Sequence, residues 1–258
     1  MSEEMSVIEA FIFDVDGVLV DSPHERAWGD TLRDLMFNEW SELIEVTGYS
    51  PEKYTSEVYQ SIVAGRPRTE GAAALLAYFR IPDPDQKRAK LLCERKQDMI
   101  VRLIDEGAFR AYDDAIRLLL RAKSAGASLA AASSSKNANK LMTKVDLSAY
   151  SNFVSPGTTL LDVFDVNVCG REFQHGKPHP EIFLTAAKTL HVPPERCVVV
   201  EDAPSGVQAA KAGGMKCIGI ARVNDEELLS SAGADWVVTS LDRITPLSDF
   251  FRISSRGS

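Results

Sequence analysis

The sequence predicts an α/β fold: a three-layer, Rossmann-like parallel sheet core with an inserted all-helical cap domain. Two observations lead to this prediction. Short apolar runs typical of buried strands alternate with amphipathic helical stretches along most of the chain, as in a parallel sheet covered on both faces. Residues 22–107 break this alternation, because they show helical periodicity and no convincing strand. We therefore predict a core of residues 1–21 and 108–258 and a cap of residues 22–107.

The elements of the core follow from local signals. Apolar runs rich in Val, Ile and Ala predict strands at residues 8–14, 128–133, 197–201, 216–220 and 235–239. Amphipathic stretches predict helices between them at residues 113–124, 136–144, 181–190 and 205–212. Glycines follow two of these helices, at Gly126 and Gly213, where they are expected to end them. The last five residues, 254–258, are predicted to lack ordered structure.

The cap is predicted from apolar residues at helical spacing. Three groups carry this signal: Trp28, Leu32, Leu35 and Met36; Leu75, Leu76, Tyr78 and Phe79; and Met99, Ile100, Leu103 and Ile104. An inserted domain is joined to its host by two chain crossings, which together make a hinge. We therefore expect the cap to act as a lid over an active site.

Composition excludes several classes of function. The chain has 258 residues, of which 45% are hydrophobic and 26% charged, and its net charge is −8. An acidic chain is a poor partner for nucleic acid or an anionic membrane. No apolar run reaches the roughly 18 residues of a membrane span, and MSEEMSVIEA lacks the pattern of a signal peptide. The four cysteines form no CxxC pair, so buried reduced thiols and a cytoplasmic location are expected.

Polar side chains follow three of the predicted strands at the point where each strand ends. FIF is followed by Asp14 and Asp16, SLAAA by Ser133, and CVVV by Glu201 and Asp202. A fourth element, HGKPHP, places a lysine at 177 just before a helix. Because ligands bind at the carboxyl ends of parallel strands, we expect these groups to converge.

The chemistry of this set points to phosphoryl transfer. Four carboxylates need a cation between them, and oxygen-only ligands favour a hard ion such as Mg²⁺. Lys177 and Ser133 are then left to hold an anion. An aspartate can attack phosphorus to form an acyl phosphate, and a carboxylate two residues further on can move a proton.

These four motifs resemble those of the haloacid dehalogenase superfamily. DVDG at 14–17, the serine after SLAAA, the lysine of GKPHPEIF and the ED of VVVEDAPSG occur in the family's order over nearly the whole chain. The resemblance implies that Asp14 is the nucleophile, that Asp16 is the general acid/base, and that Ser133 and Lys177 hold the phosphoryl group. It also implies that Mg²⁺ is bound by four groups: Asp14, the backbone carbonyl of Asp16, Glu201 and Asp202.

Further motifs resemble the β-phosphoglucomutase branch of this superfamily. They are HERAW with His24, AGRPR with Arg68, ERKQD with Lys96, and SSSKN with Ser135, Lys136 and Asn137. The resemblance implies that Arg68 and the SKN residues bind the non-transferring phosphate of a small phosphorylated metabolite. It implies that Lys96 contacts the substrate from the cap and that His24 couples cap closure to the positioning of Asp16. A monomer or weak dimer is expected.

Three functions stay open on the sequence alone. A mutase returns the phosphoryl group to the sugar, whereas a phosphatase transfers it to water. A catalytically idle regulator on the same fold is the third, although intact Asp14, Asp16, Lys177 and Asp202 argue against it. The motifs favour the mutase. Residues 158–175 form a link longer than the family's usual one, and no function is predicted for them.

Overall fold

The computed structural model describes residues 7–150, 154–249 and 252–253, so the predicted unstructured tail at 254–258 lies outside the described residues. The strands, in chain order, are β1 (Val7–Ile8), β2 (Ala10–Phe13), β3 (Val20–Asp21), β4 (Arg110–Ala111), β5 (Ser128–Ala131), β6 (Val166–Asn167), β7 (Cys197–Glu201), β8 (Lys216–Ile220), β9 (Trp236–Val238) and β10 (Arg252–Ile253). The α-helices are α1 (His24–Phe37), α2 (Ser56–Val58), α3 (Arg68–Tyr78), α4 (Lys87–Asp105), α5 (Asp113–Ser124), α6 (Ala138–Met142), α7 (Glu181–Leu190), α8 (Pro204–Ala212) and α9 (Glu226–Ser231).

The larger of two compact units, Met1–Asp21 with Arg110–Ser258, is built on a six-stranded sheet in the order β6-β5-β2-β7-β8-β9. Every pairing within this sheet is parallel. The chain order reverses at β2, whose neighbours β5 and β7 come from separate connections, and this is the switch point where α/β sheets bind ligands. The predicted fold class is confirmed.

Both faces of the sheet are covered, which explains the continuous apolar runs of its central strands. Ala10 and Ile12 of β2 share a buried cluster with residues of α7 and α8, including Phe183 and Val207. Alternate strand residues point to opposite faces, so Phe11 and Phe13, whose rings stack at 6.2 Å, lie buried on the other face. All four residues of β2 are buried, as a central strand of a three-layer fold requires.

Two features of the sheet differ from the sequence prediction. The strand predicted over residues 8–14 is interrupted at Glu9, with β1 pairing to β10 and β2 entering the main sheet. The edge strand β6 was not predicted, because its two residues lie in the long 158–175 link and form too short a run to show periodicity.

The second unit, Ser22–Phe109, consists of helices joined by turns and loops, and no strand occurs in this segment, all of which the structure describes. Its apolar core joins α1, α3 and α4 through residues that include Trp28, Leu32, Leu75 and Leu92. Of the apolar residues predicted for this core, Tyr78 is 47% exposed, and its ring lies nearly perpendicular to that of Phe79. Among the described helices of the whole chain, none has the length and apolar composition needed to cross a bilayer.

Candidate functional site

The register of three strands brings the first and last motifs side by side. Phe13 of β2 is opposite Ala131 of β5 on one side and Val200 of β7 on the other. The next residue, Asp14, donates its backbone N–H to the carbonyl of Val200 at 3.1 Å. Asp14 therefore lies at the carboxyl edge of the sheet beside Glu201, although 187 residues separate them in the sequence.

A buried ammonium group lies between these two carboxylates. Lys177 is 0% exposed, and its Nζ donates to Asp14 Oδ1 at 2.6 Å and to Glu201 Oε1 at 2.5 Å. The ring of Phe183 in α7 lies 4.8 Å from the same nitrogen and contributes a cation–π contact. Lys177 thus reaches Asp14 from the loop before α7, and the sheet edge and this loop together hold the predicted nucleophile.

The Glu201 carboxylate is also held by the backbone that follows it. Its Oε2 accepts the N–H groups of Asp202 and Ala203 at 3.0 and 3.1 Å. A Cβ added to Gly206 in the first turn of α8 would lie 1.9 Å from Glu201 Oε1, so only glycine leaves room for the carboxylate there. Both oxygens of Glu201 therefore carry hydrogen bonds, and its predicted role as a metal ligand stays a prediction.

The negative charge at this edge exceeds the positive charge that the chain supplies. Burial raises the pKa of Asp14 to about 7, although Lys177 pulls it down, and Glu201 and Asp16 raise it further. Burial also raises the pKa of Asp202 well above its ordinary value, and the nearby charges of Glu201 and Asp14 add to the effect. Burial lowers the pKa of Lys177, but its two carboxylate partners outweigh this and hold it above the ordinary range. Three buried carboxylates face one ammonium group here.

The predicted acid/base and the predicted phosphate-binding serine are hydrogen-bonded to each other. Ser133 Oγ donates to Asp16 Oδ2 at 3.1 Å and accepts the backbone N–H of Ser135 at 3.0 Å. The backbone N–H of Ser133 points to the thiol sulfur of Cys169 at 3.2 Å. Ser133, only 2% exposed, is therefore held by contacts with three loops, those after β2, β5 and β6.

Asp202 comes close to the turn that follows Asp16. Gly17 has φ +84°, and a Cβ built on it would lie 1.9 Å from Asp202 Oδ2. Glycine is therefore required here twice over, for its backbone conformation and for the space it leaves. The structure brings together the predicted catalytic residues of the core, Asp14, Asp16, Ser133 and Lys177, with Glu201 and Asp202 at one edge of the sheet.

The donor chemistry of this edge fits a hard divalent cation. Within the described residues, no three histidine, cysteine, aspartate or glutamate side chains are arranged closely enough to enclose a metal ion. The available ligands are nevertheless oxygens on buried carboxylates, with Asp14 and Asp202 short of compensating charge. Mg²⁺ in phosphoryl-transfer sites takes one or two carboxylates and completes its shell with water and substrate. Asp14, Asp202 and the Asp16 carbonyl could supply the protein's share.

The residues after Ser133 divide into two kinds. Ser135 accepts the backbone N–H of Asn137 at 3.2 Å, and Asn137 is buried, so both belong to the turn that leads into α6. The Lys136 side chain is 63% exposed and lies 3.7 Å from Glu172 at the surface. The structure therefore places Ser135 and Asn137 in the Ser133 loop and leaves the Lys136 ammonium in a solvated ion pair.

The helical unit contains its own polar cluster. Lys96 of α4 and His24 of α1 are both buried, with 2.6 Å between Lys96 Nζ and His24 Nδ1. The ring of Trp28, one turn after His24, lies 5.2 Å from the same ammonium. Two residues predicted from separate motifs, 72 positions apart, are thus in direct contact. Arg68 is half-buried at the first residue of α3.

Sequence reasoning missed two groups that support this site. Cys169 orients the Ser133 backbone, but a cysteine in a link of no predicted structure carries no signal of that role. Gly206 lies within the VVVEDAPSG motif, and only the structure shows why glycine is needed at that position.

Comparison with known proteins gives a consistent assignment. The sequence profile of the haloacid dehalogenase-like hydrolases matches residues 8–214. A β-phosphoglucomutase of Mycobacterium bovis is 34% identical over 253 residues, covering 91% of this chain and 90% of that protein. A phosphorylated carbohydrates phosphatase of Thermotoga maritima is 32% identical over 231 residues, covering 88% and 92%.

The fold agrees with these relatives. The crystal structure of an archaeal β-phosphoglucomutase from a Pyrococcus species superposes with a TM-score of 0.65 at 32% identity and covers 93% of this chain and 96% of that one. The chain therefore belongs to the haloacid dehalogenase-like hydrolase family of enzymes and, as its motifs predicted, to the β-phosphoglucomutase-like group within it.

Proposed function

We propose that the chain catalyses Mg²⁺-dependent phosphoryl transfer on a small phosphorylated sugar through a phosphoaspartate at Asp14. The observation that carries this proposal is the contact of Lys177 with Asp14 at 2.6 Å, beside the hydrogen-bonded Asp16–Ser133 pair. A buried carboxylate held by an ammonium group, next to a second carboxylate, provides a nucleophile and a proton carrier at one edge of a sheet.

In the first step, one oxygen of the Asp14 carboxylate attacks phosphorus, and the bond between phosphorus and the ester oxygen breaks. Asp16 gives its proton to the departing oxygen, while Ser133 keeps the Asp16 carboxyl in place. Lys177 orients Asp14 and offers its remaining N–H to the phosphoryl oxygens. Mg²⁺, held by Asp14, Asp202 and the Asp16 carbonyl, would neutralise the charge that develops on those oxygens.

In the second step, an acceptor oxygen attacks the phosphoaspartate and Asp16 takes up its proton. We propose that the acceptor is a free hydroxyl of β-glucose 1-phosphate, in keeping with the resemblance to β-phosphoglucomutases. The bisphosphate formed then returns its other phosphoryl group to Asp14 and leaves as glucose 6-phosphate. In the cap, the buried Lys96–His24 pair and half-buried Arg68 are the proposed contacts for the rest of the substrate.

A phosphatase is the second candidate, and two observations favour it. One relative that matches most of the chain is a phosphatase of phosphorylated carbohydrates. The Lys136 ammonium, proposed as a ligand for the second phosphate, is instead paired with Glu172 at the surface. In a phosphatase the acceptor is water, and no second phosphate needs to be held.

One assay separates these functions. The protein is incubated with Mg²⁺, β-glucose 1-phosphate and a trace of the 1,6-bisphosphate. Glucose 6-phosphate without matching inorganic phosphate supports the mutase, whereas stoichiometric inorganic phosphate supports the phosphatase. The Asp14→Asn variant is expected to lose turnover in either case, and retained activity would overturn the assignment of the nucleophile. No turnover with several phosphoesters, and no trapping of a fluoride–metal phosphoryl mimic on Asp14, would favour the idle regulator.

A further inference from the structure

An arginine outside all the recognised motifs binds the backbone of the first one. Arg222 lies in the loop between β8 and α9, and its side chain is 12% exposed. Its Nε donates to the carbonyl of Gly17 at 3.3 Å, and its Nη2 donates to the carbonyl of Val18 at 3.2 Å. These two carbonyls come directly after the predicted acid/base, Asp16.

The same guanidinium is fixed by a carboxylate at the start of α5. Arg222 Nη1 donates to Asp114 Oδ2 at 3.0 Å, and Nη2 donates to Asp114 Oδ1 at 3.1 Å. Asp114 is itself buried and also accepts the backbone N–H of Leu241 at 2.8 Å. The Asp114 carboxylate holds the guanidinium group in its plane, and the ring of Tyr112, 3.8 Å from the guanidinium carbon, covers one of its faces. Arg222 is therefore a rigid donor.

The segment that Arg222 holds is a tight turn, residues 15–20, called here the motif turn. Three of its N–H groups are bonded within the turn: Leu19 and Val20 donate to the Val15 carbonyl at 2.9 Å, and Gly17 donates to the Val20 carbonyl at 2.8 Å. The carbonyls of Gly17 and Val18 are directed to Arg222. The turn thus depends on this outside donor to satisfy and orient them.

We propose that Arg222, fixed by Asp114, is a positioning residue that sets the place of Asp16 for proton transfer. This inference rests on the proposed role of Asp16. Ser133 holds the Asp16 side chain at 3.1 Å, and Arg222 holds the backbone one residue further on, so the carboxyl is constrained from both sides. Catalytic groups must be held to within about 0.5 Å, and a displacement of about 1 Å can cost about a hundredfold in rate.

Only arginine meets the geometry. Three of its nitrogens are used, Nε on a carbonyl, Nη1 on the carboxylate and Nη2 on both. A lysine at this position would keep the charge but lose the planar fork that bridges two backbone carbonyls and a bidentate carboxylate. The Arg222→Lys variant therefore removes the clamp while preserving the charge.

The chain offers a matched control. Arg117 of α5 also makes a bidentate contact with an aspartate, from Nε and Nη2 to Asp242 at 2.9 and 2.6 Å, and neither of these bonds goes to the motif turn. Its side chain is more exposed than that of Arg222. Arg222→Lys and Arg117→Lys are compared with the wild type in three measurements: kcat and KM on β-glucose 1-phosphate, the same constants on p-nitrophenyl phosphate, and hydrogen exchange of the peptide spanning residues 14–20. Should Arg222→Lys fail to fold, Asp114→Asn takes its place.

We expect Arg222→Lys to lower kcat on the sugar phosphate by about 10- to 100-fold, with KM changed by less than about twofold. The loss in kcat/KM, which reports only the first step, is expected to be smaller on p-nitrophenyl phosphate, because its leaving group departs without a proton. Exchange in residues 14–20 is expected to rise about tenfold. Arg117→Lys is expected to match the wild type in all three measurements. For Asp114→Asn we expect kcat and hydrogen exchange to change in the same directions as for Arg222→Lys, but by less.

Equal losses in kcat/KM on the two substrates would overturn the inference, because a general structural role predicts them. So would unchanged exchange in residues 14–20, or equal behaviour of the two arginine variants. If the wild type turns over neither substrate, the proposed function fails instead. The exchange comparison then still decides whether Arg222 fixes the motif turn.

Discussion

Replacing Lys177 with methionine tests the electrostatic account of the site most directly. Methionine fills a similar volume but removes the positive charge that contacts Asp14 at 2.6 Å and Glu201 at 2.5 Å. Lys177 is fully buried, so water cannot replace it as a partner. The variant therefore leaves two facing carboxylates without their cation, and we expect it to fold but to be less stable and inactive.

The size of the effect follows from the burial of the partners. Removing one member of a buried ion pair costs about 3–5 kcal/mol, because the other charge is left unpaired. Asp14 has a pKa of about 7 beside Lys177, so its part of the ion pair is formed at pH 8 and is already lost by protonation at pH 5. Protonating Asp14 at pH 8, one unit above that pKa, costs about 1.4 kcal/mol. We therefore expect a loss of about 3–5 kcal/mol at pH 8, or roughly 6–20 °C in Tm, and a loss about 1.4 kcal/mol smaller at pH 5.

The assay is thermal unfolding without Mg²⁺ at both pH values, with Lys211→Met as the matched control. Lys211 contacts Asp235 at the same 2.6 Å, but the two side chains are 33% and 17% exposed and Lys216 remains on the carboxylate at 3.0 Å. The control is expected to lose at most about 1 kcal/mol at either pH. A Lys177→Met variant as stable as the control, or with the same deficit at pH 5 and pH 8, would refute the reasoning.

Three further predictions concern the surroundings of the site. Gly17→Ala is expected to weaken Mg²⁺ binding in calorimetry and to lower Tm by more than Gly157→Ala does. Gly157 also has a positive φ, +82°, but a Cβ added there would meet no neighbouring atom. Equal effects of the two substitutions would show that only the backbone conformation matters. Mg²⁺ at a hundredfold excess over its Kd is expected to stabilise the wild type by about 2.7 kcal/mol in thermal melts. If Mg²⁺ stabilised the Asp202→Asn variant by the same amount, the role of Asp202 as a metal ligand would be contradicted. Burial raises the pKa of Asp114, but its arginine partner and two backbone N–H groups lower it more, so the native pKa lies below 3.8. The ionised Asp114 therefore stabilises the folded protein fully above pH 3.8, and this stabilisation is lost as the pH falls through the native pKa. Asp114→Asn is therefore expected to be less stable than the wild type by about 2–3 kcal/mol at pH 6, with a gap that closes below pH 4; a constant gap in melts from pH 6 to pH 3 would contradict this.

Much of the core was predictable because its signals are local. Continuous apolar runs such as CVVVE identify strands buried on both faces, and the polar residues that follow them mark the edge where ligands bind. The order of motifs identified the family, and comparison with relatives confirmed it. The two-residue strand β6 was missed because a run that short has no measurable period.

The partners of the predicted residues were not predictable, since hydrogen bonds between distant segments leave no pattern in either segment. The lysine at 96 and the histidine at 24 came from two unrelated motifs, and nothing in the chain indicated that they touch. Lys136 carried a motif signal, yet its side chain is directed to a surface glutamate. Arg222 carried no motif signal, and its role depends on where three other segments of the chain come to lie.

The sequence by itself determined the alternation of strands and helices, the helical insertion and the set of residues at the strand ends, because propensity and periodicity act over a few neighbouring positions. Tertiary structure decided how those residues are used. It placed one buried ammonium between two carboxylates, paired Asp16 with Ser133, and joined the motif turn to Arg222. These choices depend on strand register and loop packing, which are properties of the whole chain and not of any short stretch within it.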